Sequence, residues 1–328
     1  MRVLVTGGAG YVGSVVVEEL LDASAEAVVV LDDLSSGHRS AVTSPARFVR
    51  GDIADADLVI RTCREDRVDV VVHMAASSVV AQSMSDPSGY YRNNVTQGLA
   101  LLDAIVAAGV RRLVFSSSAA VYGEPSGSPI TEEFALCPTN VYGETKLAFE
   151  RALHWYERAY GIRHACLRYF NAAGATAANG EQHDPETHLI PIVLQVAAGK
   201  RSHVPVFGET YPTPDGTCVR DYVHVSDLAR AHVLAIESLA TNSGRAYNLG
   251  SGGGYSVRQV IEAAAEVTGK RIPHETVARR NGDPAVLVAS SDRIRRELSW
   301  EPAKQDLRVI LADAWRWLQA RPDGYGAA

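Results

Sequence analysis

The chain has 328 residues, 46% of them apolar, enough to bury a large core in one elaborate domain or in two packed ones, and two is the division favoured here. A formal charge of −6, with 32 Lys and Arg dispersed among 38 Asp and Glu and no basic tail, argues against a nucleic-acid partner. Cys63, Cys137, Cys166 and Cys218 lie far apart without metal-ligand spacing, so no disulfide framework and no metal are assigned. The apolar stretch before Gly7 is too short for a signal peptide and no later run reaches membrane-spanning length, so a soluble cytoplasmic protein is expected.

In chain order, apolar runs at RVLVTG, AVVVLDD, RFVRGD, DVVVHMA, RRLVFSSS and RHACLRYF alternate with mixed stretches long enough for helices. That alternation predicts an α/β fold: a Rossmann-type parallel sheet flanked by helices. After about residue 172 the character changes, with turns in GETYPTPDGT, a helical pattern in VRQVIEAAAEV and an amphipathic tail in DLRVILADAWRWLQA. We therefore expect a nucleotide-binding domain over 1–171 and a smaller mixed α/β substrate-binding domain over 172–328, with later segments such as RAYNLG returning to the first.

VLVTGGAGYVG sets Gly7, Gly10 and Gly13 at dinucleotide-turn spacing directly after the first strand, where glycines permit a tight turn and let a diphosphate approach a helix N-terminus. Asp32 follows about 20 residues later, at the end of the second strand, where a carboxylate accepts from ribose hydroxyls. Asp32 and Asp33 disfavour a 2′-phosphate, which points to NAD over NADP, with Arg39 nearby as the counterweight. Asp52 fits either an adenine contact or a surface turn. His73 reads as a packed structural histidine, and Asn94 as a residue that fixes a helix or loop beside the dinucleotide.

FSSSAAVYG ends a strand with Ser116, Ser117 and Ser118, and TNVYGETK places Tyr142 and Lys146 one helical turn apart. A tyrosine at its ordinary pKa is a poor base at neutral pH; a neighbouring ammonium and an oxidised nicotinamide favour its anion. Ser118, Tyr142 and Lys146 thus form a set for alcohol oxidation, Tyr142 exchanging the hydroxyl proton and NAD taking the hydride. Each motif alone also fits a surface helix or a strand end, and a nonenzymatic NAD(H)-sensing scaffold is the alternative of a different class.

The ordered set TGGAGYVG, LDDLSSG, GDI, FSSSAAVYG, YGETK, RYFNAAGA, PVFGETYPTPDGTCVRDYVHVSDLA, YNLGSG and RRNGDPA resembles the extended short-chain dehydrogenase/reductase superfamily, and within it the UDP-glucose 4-epimerase branch. The likeness covers nearly the whole chain. It implies reversible C4 inversion of UDP-glucose and UDP-galactose through a 4-keto sugar with tightly held NAD, and a homodimer. It also implies that Ser118, Tyr142 and Lys146 are catalytic, and that the NAD site includes Gly7, Gly10, Tyr11, Val12, Gly13, Asp32, Asp33, Asp52, Ile53, Met74, Ala75, Ala76, Asn94, Ser116, Tyr142, Lys146 and Phe170. For the UDP-sugar it implies Ser118, Tyr142, Asn171, His188, Leu189, Val206, Phe207, Arg220, Arg280, Asp283 and Leu287. Arg and Asn suit a diphosphate because they donate directional, charge-assisted hydrogen bonds. Arg220 next to Asp221 also fits a surface ion pair, and Arg279 competes with Arg280 for the inward position.

Two departures from close relatives stand out. Ser78 occupies a place where some carry lysine, and Leu287 one where some carry tyrosine, which makes UDP-N-acetylhexosamines a second substrate class. Ala119 and Ala120 stand where dehydratase relatives commonly place an acidic pair, which disfavours dehydration; decarboxylation of a UDP-uronate stays open.

Overall fold

The computed structural model describes residues 1–279 and 283–326. The apolar runs of the first half become β1 (Arg2–Thr6), β2 (Ala27–Asp32), β3 (Arg47–Arg50), β4 (Val70–His73), β5 (Arg112–Ser118) and β6 (Arg163–Tyr169). Between them run α1 (Tyr11–Asp22), α2 (Ala56–Glu65), α3 (Val80–Ser85), α4 (Pro87–Tyr91), α5 (Gly98–Ala108) and α6 (Val141–Tyr160). The later part comprises β7 (Asn171–Ala173), α7 (Leu189–Ala197), β8 (Val204–Phe207), β9 (Val219–Arg220), β10 (Tyr222–His224) and α8 (Val225–Ser238). It continues with β11 (Arg245–Leu249), β12 (Tyr255–Ser256), α9 (Val257–Thr268), β13 (His274–Val277), β14 (Val286–Leu287), α10 (Asp292–Leu298) and α11 (Leu307–Ala320).

Seven parallel strands form the main sheet in the order β11-β6-β5-β4-β1-β2-β3. Its central strands are apolar at successive positions because both faces are covered. Val3 and Val5 enter one core with Val16 and Leu20 of α1 and Leu228 of α8, while Leu4 enters the other with Val59 of α2, Leu101 of α5 and Phe149 of α6. A third core joins Val193 of α7, Val204 and Val206 of β8, Val260 of α9 and Ile310 of α11. Around it lie three small sheets, β10-β7, β13-β8 and β12-β9-β14.

RAYNLG forms β11, beside β6, so a segment far along the chain closes one edge of the main sheet. The Trp300 indole, 0% exposed, donates to Asp227 O at 2.9 Å and fastens the C-terminal region to α8. Local chemistry fixes where α6 starts: the Asn140 side chain accepts from Gly143 N at 2.8 Å, so Val141 and Tyr142 open the helix, and Gly161 ends it at φ +71°.

Candidate active site

The strand order reverses between β1 and β4, and the crevice above such a reversal is where an open α/β sheet binds ligand. The glycines of the first turn are required there sterically. Gly7 has φ +73°, and a Cβ on it would lie 2.5 Å from Ala75 N; a Cβ on Gly13 would lie 2.2 Å from Gly7 O. Gly10 caps α1 without a side-chain hydrogen bond, and no acidic residue stands in the first turn, so the N-terminal amides face outward with nothing anionic competing for them.

Asp32, buried at the end of β2, accepts from Ala9 N at 3.0 Å and Leu34 N at 2.9 Å. Burial pushes its carboxyl upward against these two hydrogen bonds, and each oxygen keeps a lone pair for a hydroxyl donor. Asp33 is exposed and closes a local turn by accepting from Ser35 N. Asp52 accepts from Ala54 N at 2.8 Å and from Gln97 Nε2 at 3.1 Å, so it ties its loop to a π-helical turn over Arg92–Gln97. Asn94 lies in that turn. Its amide donates to Ser77 O and Thr145 Oγ1, both at 3.0 Å, and its oxygen accepts from Ser77 N at 2.8 Å. Asn94 therefore clamps the loop after β4, which carries Met74, Ala75 and Ala76, to the first turn of α6. Turn, carboxylate and clamped loop together fit a dinucleotide laid across the sheet crest.

Ser118 ends β5 and Tyr142 opens α6, and the Ser118 hydroxyl stands close enough to the phenol to oppose its upward shift. Ser118 Oγ also accepts from Ala120 N at 3.1 Å. Thr145 Oγ1 donates to Tyr142 O at 2.8 Å and Tyr142 N donates to Ser83 Oγ at 3.2 Å, which holds the turn bearing the phenol. Burial pushes the Tyr142 phenol up to about 12, with the Ser118 contact acting downward. Lys146 departs from the expected geometry. Its Nζ donates to Ser116 O at 2.8 Å and lies 5.7 Å from the centre of the Tyr142 ring, making no direct hydrogen bond to the phenol. Burial brings the Lys146 ammonium down to about 7, with the Glu150 carboxylate opposing.

Beneath this set lies a polar layer that the sequence reading did not single out. Glu150 accepts from Ser117 Oγ at 2.5 Å and pairs with Arg168 through two hydrogen bonds, at 3.0 and 2.6 Å. Arg168 donates onward to the Tyr122 hydroxyl at 2.8 Å, and Tyr122 to Asn248 Oδ1 at 2.7 Å. On the other side the Tyr169 hydroxyl joins Ser116 Oγ to His232 Nε2. Glu150 lies four residues beyond Lys146, an i,i+4 signal available in the sequence; the others are brought in by tertiary contact alone. His73, 2% exposed, bonds Thr6 Oγ1 at 2.8 Å and stays neutral at physiological pH because burial brings it down to about 3.

The proposed sugar-nucleotide residues lie on the wall formed by the later strands. Asn171 donates its side-chain amide to Asp221 O at 3.0 Å, which leaves its second amide hydrogen. Arg220 pairs with Asp283, so the ion pair with adjacent Asp221 does not form. Asp221, 0% exposed, instead accepts from the backbone of Ser251, Gly252 and Ala289 and from the Ser251 hydroxyl. Arg279 stacks over Tyr211 at 4.0 Å. Arg280 lies outside the described residues. Leu287 packs with Val121, Tyr122, Ile130 and Phe170. Val206, at 1% exposure, turns its side chain into the third core, because the β-strand alternation that leaves Phe207 half-exposed faces its neighbour inward, so its approach to a sugar nucleotide is confined to backbone. Ile53 is likewise core, at 6% exposure, so its approach to a dinucleotide is confined to backbone. His188 directs Nδ1 at Glu181 and Glu186, and Leu189 begins α7.

Residues 3–250 match the model of the NAD dependent epimerase/dehydratase family. The chain belongs to that family. It is 51% identical to the UDP-glucose 4-epimerase of Corynebacterium glutamicum over 328 residues, covering 100% of this chain and 99% of the relative. The crystal structure of UDP-glucose 4-epimerase from Brucella ovis in complex with NAD superposes with a TM-score of 0.92 at 46% identity, over 96% of this chain and 97% of that one. The enzyme from Bifidobacterium longum in complex with NAD+ and UDP gives a TM-score of 0.93 at 36% identity, over 99% of this chain and 100% of that one.

Proposed function

We propose that the chain is a UDP-glucose 4-epimerase that interconverts UDP-glucose and UDP-galactose with bound NAD. The observation that carries this reading is the apposition of Ser118 and Tyr142, with Lys146 one helical turn behind, at the crest that also bears the glycine turn and Asp32. NAD, when bound, supplies the acceptor and donor of the hydride at sugar C4. The protein supplies the proton chemistry. Tyr142 takes the proton of the C4 hydroxyl and later returns one, and Ser118 holds the C4 oxygen by hydrogen bonding. The Lys146 charge lowers the cost of the phenolate that Tyr142 must be before it takes the proton and becomes again once it has returned one.

Inversion requires the 4-keto sugar to present both faces while the rest of the ligand stays anchored. Distant binding energy from the nucleotide provides that anchor, for which Arg220, Arg280, Asn171 and Asp283 are the candidates. The reading requires the C4 centre itself to be held by few groups, so that it can turn.

Purified enzyme given UDP-galactose or UDP-glucose in separate reactions, without added NAD, should drive both to the same mixture. Conversion in neither direction by folded, NAD-loaded protein overturns the reading. We further propose that it works in the cytoplasm as a homodimer. Among the described residues no helix is long and apolar enough to cross a membrane, and the exposed Trp155 and Tyr160 on α6 support a second copy packed on that helix.

A further inference from the structure

The connection from β7 to α7 contains the sequence EQHDPETH, in which Glu181, His183 and Glu186 have no part in the chemistry above and His188 is also a candidate for the sugar nucleotide. Its backbone is irregular, yet one ligating atom from each of Glu181, His183, Glu186 and His188 lies within 4.8 Å of all the others. His188 Nδ1 stands 2.9 Å from Glu181 Oε1 and 3.0 Å from Glu186 Oε1. His183 Nδ1 stands 3.4 Å from Glu181 Oε1 and 3.7 Å from Glu186 Oε2. Four donors each about 2.0–2.1 Å from a tetrahedral centre are separated by roughly 3.4 Å, and the four imidazole–carboxylate spacings, 2.9–3.7 Å, bracket that value.

The alternative to a metal is a pair of ion pairs. It requires two imidazolium rings with centroids 5.1 Å apart, beside carboxylates whose side chains are only 8% and 3% exposed. His183 Nδ1 is buried and, at 3.4 and 3.7 Å from the two carboxylates, makes no well-formed hydrogen bond to either. A single divalent cation lets both imidazoles be neutral, aims their Nδ1 lone pairs at one point and balances the two carboxylates. Two imidazole nitrogens with two carboxylate oxygens favour Zn2+ over Mg2+ or Ca2+, which prefer all-oxygen shells with more ligands.

We propose that Glu181, His183, Glu186 and His188 bind one Zn2+-class ion. With four protein ligands the site is structural: it holds the loop that delivers His188 and Leu189 to the start of α7. Glu186 is already braced for this, since its Oε1 accepts from Thr187 N and His188 N, both at 2.8 Å.

The test uses untagged full-length protein, treated with chelator and then titrated with Zn2+ in competition with a chromogenic chelator, and separately with Co2+. One Zn2+ per chain is expected, unaffected by excess Mg2+, with the intense visible bands of tetrahedral Co2+. Glu181→Gln and His183→Ala should each weaken Zn2+ binding by more than about 100-fold, beyond what loss of an outer partner causes. Absence of stoichiometric binding by wild type, octahedral Co2+ bands, or equal binding by wild type and Glu181→Gln overturns the proposal. The Co2+ spectrum of wild type decides the matter even if a variant fails to fold, and because the readout is metal, its outcome is separate from that of the epimerase assay.

Discussion

Tyr142 combines two properties that oppose each other. Its burial pushes the phenol up to about 12, which makes it a proton donor at rest, and its first task as a base requires the anion. Tyr142→Phe keeps the ring and removes the exchangeable proton, so turnover should fall by about 100- to 10,000-fold while UDP affinity, measured by calorimetry, stays within a few-fold. Lys146→Met removes the cation that favours phenolate, so the acidic limb of the kcat/KM profile against pH should move to higher pH; an unmoved limb would detach Lys146 from the phenol. The same substitution has a stability consequence with a definite sign. Lys146 is brought down to about 7 in the fold, so below that pH the fold carries the full cost of a buried charge. The cost declines as pH rises from about 7 toward the unfolded value near 10.4. In cofactor-free protein, Lys146→Met should therefore raise the melting temperature more at pH 6 than at pH 9, by a difference of a few kcal/mol in unfolding free energy.

At the scale of elements, the site depends on how strand ends and helix starts abut. A Cβ on Gly13 would fall 2.2 Å from Gly7 O, a backbone atom that cannot swing aside. Gly13→Ala should thus force the β1–α1 turn open and lower bound NAD, read by absorbance after gel filtration, with destabilisation of about 1–3 kcal/mol. On the opposite wall β14 pairs with β9, setting Leu287 level with Arg220 and against Val121 and Phe170. Leu287→Tyr adds bulk on the wall proposed for the sugar, and should suppress any conversion of UDP-N-acetylgalactosamine more than that of UDP-galactose. An unchanged activity ratio removes Leu287 as a size gate.

For the whole molecule, α6 joins the proposed catalytic residues to the face proposed to bind a second copy. Its first turn carries Tyr142 and Lys146, and its far half exposes Trp155 at 61% and Tyr160 at 51%. If a second copy covers that face, Trp155→Glu should convert a dimer to a monomer in sedimentation, with activity retained in so far as the first turn stays anchored by Asn94, Thr145 and Ser83. The Glu150–Arg168 pair underpins the same helix from within, and the two residues are matched by two hydrogen bonds because an unpaired buried charge there would cost about 3–5 kcal/mol.

The sequence by itself determined the six leading strands, the glycine turn and the i,i+4 relation of Tyr142 to Lys146, because each depends on neighbours along the chain: apolar runs, φ preference and helical spacing. It also held the signal for Glu150, at the same spacing beyond Lys146. Tertiary structure alone decided that Ser118 meets Tyr142 and that Lys146 turns to Ser116 O. It likewise decided that Arg220 chooses Asp283 over its neighbour Asp221, and that Val206 faces a core. These outcomes depend on which strand lies beside which and on which face of a strand is covered, distances that linear order does not contain. The convergence of Glu181, His183, Glu186 and His188 belongs to the same class, since an irregular loop has no periodicity from which the direction of a side chain can be read.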